Sequence, residues 1–473
     1  MQDRYGPAIA ANRFGLGARP GELTSIGDDP RGWLTAQLKG GAPPFAALGL
    51  RPSWEVLAET IELRRDQREM RRAARKNNTD PADTQAAVEK LLKLPQMYRP
   101  IYIDEVSARL AHAVDTDRPF VERLTQFWTN HFAVSVDKVA VLGVAGSFER
   151  EAIRPHVLGN FSDLLLAVEQ HPAMLLYLDN HLSVGPNSRA ARLLARRRTE
   201  RQVGINENLA REILELHTLG VNGGYTQKDV TTFAEVITGW SIGGQLGALN
   251  RGAPGQFVFR PEVHEPGAKT LLGKTYSQDD VEQGVAVLRD VAAQAATAKF
   301  IATKLTRHFI ADEPPPAAVA RVEKAFIRSR GDLPTVYRAL IDVPEAWREP
   351  LAKYKTPNDY IVSTFRGLAL PVQGKQSGLA AFELLGQRTY SPGSPAGWPD
   401  RSADWDGASA LMKRIEWADA VGQRAGARSN AAELAPHLLG ETLDADTTKA
   451  IGRAASGAQA LTLLLTAPEF LRR

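Results

Sequence analysis

Three glutamates, an arginine and a histidine fall within one short stretch, Glu207, Arg211, Glu212, Glu215 and His217, and their spacing predicts a helix. At 100° per residue, Glu207, Asn208, Arg211, Glu212 and Glu215 share one arc, while Leu209, Ala210, Ile213, Leu214 and Leu216 lie opposite with His217 among them. Glu207, Arg211 and Glu215 stand at i, i+4 and i+8, the spacing of a carboxylate–guanidinium–carboxylate ladder. Two chemistries are open to such a helix. In a cleft, a glutamate serves as general acid or base, or binds a metal, and Arg211 orients it. On a surface, the charged arc is a structural ion-pair network and His217 a hydrogen-bonded core residue. No His-Glu-x-x-His occurs, and Glu212-x-x-Glu215 lacks the histidine of a di-iron Glu-x-x-His.

Two further histidines have suggestive neighbours. His131 closes Phe127-Trp128-Thr129-Asn130-His131-Phe132, where Phe127 and Trp128 share its helical side. It reads either as a core residue or as an imidazole walled by rings, with Asp137 and Lys138 near the same cleft. His264 sits in Val263-His264-Glu265-Pro266-Gly267, a loop, and is the least core-like of the three. A run of arginines, Arg189, Arg192, Arg196, Arg197, Arg198 and Arg201, precedes the signature helix as an anion clamp or a solvated loop. Gly386 to Trp405 is a long Pro/Gly loop carrying Tyr390, Trp398 and Trp405, whose rings suit a sugar face or a buried lid.

The elements that must position these groups are helical. Gly220 stops the signature helix, Asn222-Gly223-Gly224 turns the chain, and Thr226 with Asp229 forms a capping box for a helix running to about Thr238. Ala8 to Leu48 reads as two short helices, and Trp54 to Leu94 as a charged helical hairpin holding Arg64, Arg65, Arg68, Arg71, Arg72, Arg75 and Lys76. That hairpin is a solvated face or a contact for an acidic polymer or anionic membrane. Ile101–Ala133, Ser147–Asn180, Gln278–Ala293, Ala298–Ile310, Ala317–Ser329, Leu333–Ile341 and Pro357–Leu370 are helical. Gln256–Arg260 and Lys269–Tyr276 read as a small β-hairpin. Leu333–Trp347 is echoed by Ala458–Leu471, each an apolar helix closed by Pro-Glu and an aromatic residue.

The fold class expected is therefore all-α, a multi-helix array with a small β-hairpin near 256–276 and a long loop near 386–405. One helical domain spans 1–473, with subdomains at 1–100, 101–276 and 277–473. A chain of 473 residues, 43% hydrophobic and 24% charged, can bury a large core. No cysteine occurs, which excludes disulfides, thiolate metal sites and a cysteine nucleophile. The net charge of +4 does not argue for nucleic acid, and no apolar run reaches the ~20 residues of a membrane span. The first residues of the given chain hold no apolar signal segment, which leaves a cytoplasmic protein or a trimmed exported one as the expectation.

The stretch Asn206–Trp240 resembles the signature of a large bacterial family, domain of unknown function 1800. Its other matching positions are Trp128, Asn130, His131, His264, Gly397 and Trp398, with Glu265 standing where Asp is more familiar. The resemblance implies a mostly helical protein, exported in many members and often encoded beside a sulfatase- or phosphatase-like family. It brings no activity with it. The leading expectation is a hydrolase or lyase acting on a polymeric, anionic glycan by carboxylate/histidine chemistry. Glu207, Glu212, Glu215, Arg211, His131 and His264 are its catalytic candidates, and Trp128, Asn130, Tyr225, Trp240, Trp398, Arg196 and Arg197 its binding candidates. The rivals are a metalloprotein in which His131, His217 or His264 and a glutamate such as Glu212 ligate Zn, Mn or Fe, and a non-enzymatic binding or assembly partner of the sulfatase/phosphatase-like neighbour or surface polysaccharide carrier.

Overall fold

A computed structural model describes residues 4–44, 49–76, 94–196, 204–244, 251–372 and 378–473. Helices dominate it. The charged stretch forms α1 (Ser53–Lys76), exposed over its basic second half. The returning arm expected at 77–93 lies outside the described residues. α2 (Leu94–Asp115) and α3 (Pro119–His131) follow, and α3 presents Phe120, Leu124, Phe127 and Trp128 to the core. α4 (Phe161–Glu169) and α5 (Arg189–Arg196) lead to the signature helix α6 (Asn208–Glu212), which widens into a π-helical turn at Ile213–His217. Gly220, at φ +81°, reverses the chain there, and its N–H donates to Leu214 O. The capping box of Thr226 and Asp229 opens α7 (Gln227–Val236) as expected.

The β structure differs from a single hairpin. β1 (Trp240–Ile242) pairs antiparallel with β2 (Phe257–Phe259), and β3 (Lys269–Leu271) with β4 (Lys274–Tyr276). The expectation that 256–260 pairs with 269–276 is corrected. The Trp240-Ser241-Ile242 run, shortly after α7, supplies the missing partner strand. Trp240 is buried there against Phe257.

α8 (Val281–Ala292), α9 (Ala295–Phe309), α10 (Pro316–Ser329), α11 (Leu333–Ile341) and α12 (Pro357–Gly367) carry the core onward to α13 (Ala408–Ala425) and α14 (Gly457–Thr466). The echo seen in the sequence has a local counterpart. α11 is followed by a 3₁₀ turn at Pro344–Trp347, and α14 by a short helix at Pro468–Leu471. One core joins both ends of the chain, with Phe14 stacked on Phe309 and Trp347 at 5.6 and 5.4 Å. The last residues bridge back to 353–355, pairing Tyr354 with Arg472. No helix among the described residues is long and apolar enough to cross a membrane.

Candidate functional site

The long Trp loop folds over the C-terminal end of α3. Asn130 holds it by both ends of its amide: Oδ1 accepts from Trp398 N at 2.7 Å and Nδ2 donates to Trp398 O at 2.9 Å. Gly397 makes that approach feasible, with φ +83° and no room for a Cβ beside Asn130 O. Val136 N donates to Tyr390 O at 2.8 Å, and Tyr102 Oη to Thr389 O at 2.9 Å. Tyr390 itself is left-handed, φ +56°, a strained conformation for an aromatic residue.

Between this loop, α3 and α9 lies a cavity of about 340 Å³. Trp398, Phe127 and Tyr390 wall it, and Lys304, Arg307 and His308 enter it from α9. His308 Nδ1 is 3.0 Å from Asp400 Oδ2, so Nδ1 carries the proton and Nε2 the lone pair. Nε2 is buried and has no hydrogen-bond partner. Burial pushes the His308 imidazole below its ordinary value, although Asp400 opposes the shift. Asp400 is held ionised: burial opposes this, but His308, Lys353 and Arg473 outweigh it and keep the carboxyl well below the usual range. Lys353 lies 3.8 Å from its Oδ1 and is itself paired with Asp312 at 2.5 Å.

Two cations in the cavity, Lys304 and Arg307, form no ion pair with an acid among the described residues. Lys304 makes no hydrogen bond or ion pair among the described residues, and burial lowers its ammonium to about 8. Arg307 uses only Nε, on the Asp312 carbonyl at 3.3 Å. The other lining cations are compensated. Arg123 meets Asp359 at 3.0 Å, Arg401 meets Glu313 at 3.1 Å, and Arg109 meets Glu149 at 2.8 Å. Asp359 is held by both Arg123 and Arg473 (3.0 Å) and, despite its burial, stays well below the usual carboxylate range. The cavity thus offers a neutral imidazole, an ammonium lowered to about 8, a guanidinium bonded only through Nε and an aromatic wall.

The chain matches the family model described as a protein of unknown function, DUF1800, over residues 9–472. It belongs to that family. No curated protein and no solved structure matches it.

The positions by which this member resembles its family are only partly brought together. Asn130, His131 and Trp398 meet at the cavity. His131 is buried, its Nε2 donates to His217 O at 3.0 Å, and its Nδ1 has no partner; burial first, then Lys304, lowers its pKa well below the ordinary value. Trp128 is wholly buried and donates to Tyr337 Oη at 2.6 Å, so no face is free for a ligand. Asp137 accepts from Ser391 at 2.8 Å, and Lys138 pairs with Asp179 at 2.6 Å.

The signature helix does not line the cavity. Arg211 reaches Glu207 at 3.0 Å and Glu215 at 3.3 Å, on a partly exposed face. Glu207 also accepts from Thr231 at 2.6 Å and Gln227 at 2.9 Å, bracing α6 against α7. Tyr225 beside Glu215 is raised to about 12, chiefly by burial. Half-buried Glu212 is raised by burial, with His217 opposing. His217 is a core residue, its Nδ1 2.8 Å from the buried Glu169. His264 lies in a third place, buried, with Nδ1 on Thr238 O at 2.9 Å, while the neighbouring Glu265 is held by Asn187 N at 2.7 Å. Arg196 is exposed at the end of α5, and Arg197 lies outside the described residues. No group of three or more His, Asp and Glu that could hold a metal occurs among the described residues.

Lys304, Arg307, His308 and Asp400 were missed in the sequence. Their signal was slight. Asp400 follows the Gly397-Trp398-Pro399 motif directly, and Lys304-x-x-Arg307-His308 places three polar groups on adjoining positions of one helix.

Proposed function

We propose that the cavity under the Trp398 loop is the active site of an acid–base enzyme that cleaves an anionic glycan. The observation that carries this reading is the Asp400–His308 pair beside Lys304 and Arg307 in one cavity. A neutral imidazole oriented by a carboxylate is a general base poised for neutral pH. Two cations with no ion-pair partner among the described residues, in a partly enclosed site, favour a negatively charged ligand. The half-buried Trp398 ring offers an apolar face against which a sugar ring packs.

The reading moves the chemistry away from Glu207, Glu212 and Glu215. Glu207 and Glu215 are occupied by the Arg211 ladder, and none of the three lines the cavity. His131 is retained as a wall of the site, and Asn130 as the anchor of its loop.

The test is release of reducing ends from polymers bearing uronate, sulfate or phosphate groups, with a neutral glucan as control. The full chain cleaves at least one anionic polymer, His308→Ala loses the activity, and Glu215→Gln keeps it. Cleavage of the neutral glucan alone, or of no polymer, contradicts the reading.

A further inference from the structure

Resting on that reading, we propose that the reaction is β-elimination at a uronate residue. His308 takes the proton at C5, Arg307 binds the C6 carboxylate, and Lys304 protonates the departing C4 oxygen. The first argument is exclusion. Glycoside hydrolysis works with two carboxyl groups of opposed protonation, one of them raised so that it carries a proton at neutral pH. Three carboxyls line this cavity: Asp404 is exposed, and Asp359 and Asp400 are each tied to cations and held ionised. Neither Asp359 nor Asp400 is a proton donor at neutral pH.

The second argument is fit. Elimination beside a carboxylate needs a cation on that carboxylate, a neutral base for the adjacent C–H, and an acid for the leaving oxygen. Lys304, Arg307 and His308 stand at i, i+3 and i+4 on α9 and all line the cavity. The planar fork of Arg307, bonded only through Nε, matches a planar carboxylate. His308 has its proton fixed on Nδ1 by Asp400, leaving Nε2 as the base. Lys304 is an ammonium without an acidic partner, close enough to Asp400, Arg307 and His131 to feel their charge or polarity. Its lowered pKa, near 8, suits proton donation close to neutral pH.

The step balances without water. The C5–H bond breaks and its proton goes to His308 Nε2. The electron pair forms C4=C5, and the C4–O bond breaks. The leaving oxygen takes a proton from Lys304. His308 is left protonated and Lys304 neutral, and one proton passed between them through solvent resets the site.

The experiment incubates the full chain with a polyuronate and with the same polymer after reduction of its carboxyl groups, reading both reducing ends and the mass and ultraviolet absorbance of the products. Elimination leaves a conjugated C4=C5 bond and a product one water lighter than hydrolysis would leave. The expected result is unsaturated product from the polyuronate and none from the reduced polymer. Lys304→Gln lowers kcat by about 10²-fold, and Arg307→Gln raises KM with partial recovery in Arg307→Lys. Melting curves verify that the variants fold. Reducing ends without unsaturation, or equal cleavage of the reduced polymer, overturn β-elimination but leave the cavity as the active site. Unsaturated product that survives Lys304→Gln at full kcat overturns the role of Lys304.

Discussion

His308 Nδ1 and Asp400 Oδ2 lie 3.0 Å apart, and the aspartate is fixed from behind by Lys353 and Arg473. Asp400 is thus a positioning residue: it sets the tautomer of the base without facing the substrate in the proposed step. Asp400→Asn leaves the buried Lys353 and Arg473 with less negative charge to face. It should lower stability by about 2–4 kcal/mol in denaturant titrations. It should also reduce turnover while Lys304 and Arg307 still bind the anion. Unchanged stability and turnover would contradict this.

The pH profile follows from two shifts of known sign. His308 must be neutral to act as base, and burial puts its pKa below 6.5, so activity falls only at acid pH. Lys304 must be charged to act as acid, and its pKa is about 8 against an ordinary 10.5, so activity falls as pH rises through that value. The expected profile of kcat against pH is a bell whose alkaline limb disappears in Lys304→Gln. An alkaline limb that persists in the variant would assign it elsewhere.

The same lysine makes a stability prediction. Because its folded pKa is below the unfolded one, the unfolded chain binds more protons between about pH 8 and 10.5, and stability rises with pH through that window. Below it, the buried charge is a cost. Lys304→Met should therefore melt higher than the parent at neutral pH, by ~1–3 °C, with the gain shrinking towards high pH. A lower melting temperature at neutral pH would show that Lys304 is compensated.

Asn130 tests the loop. Asn130→Ala removes both hydrogen bonds to the Trp398 backbone and should cost about 1–3 kcal/mol. Tryptophan fluorescence should register the loosened ring, and substrate KM should rise. An unaltered spectrum and KM would detach the loop from the site.

The signature helix tests the division between scaffold and chemistry. Glu215→Gln cuts one rung of a partly exposed ladder and should cost no more than about 1 kcal/mol. Glu169→Gln strips a buried partner from His217 and should cost about 2–4 kcal/mol. Equal losses in urea titrations would contradict the assignment of His217 and Glu169 to the core.

How much of this was legible depends on the range of the interactions. The ladder, the capping box and the Gly220 stop rest on contacts within a few residues, and periodicity exposes them. The antiparallel pairing of Trp240–Ile242 with Phe257–Phe259 is not local, and three-residue strands carry too little alternation to announce it. The site is less legible still. Asn130 meets Trp398, His308 meets Asp400 and Arg473 meets Asp359 across long sequence separations, and only the fold joins them. The crowding of glutamates at 207, 212 and 215 is visible in the sequence, whereas a lysine lacking an ion-pair partner is not. His217 and His131 were each open to a core reading; only His131 also reaches the cavity.

The most direct test of the central claim compares kcat/KM for the parent, His308→Ala and Glu215→Gln on one polyuronate. The account predicts a loss of at least ~100-fold in His308→Ala and a change within about twofold in Glu215→Gln. Full activity in His308→Ala, or its collapse in Glu215→Gln, would move the chemistry back to the signature helix.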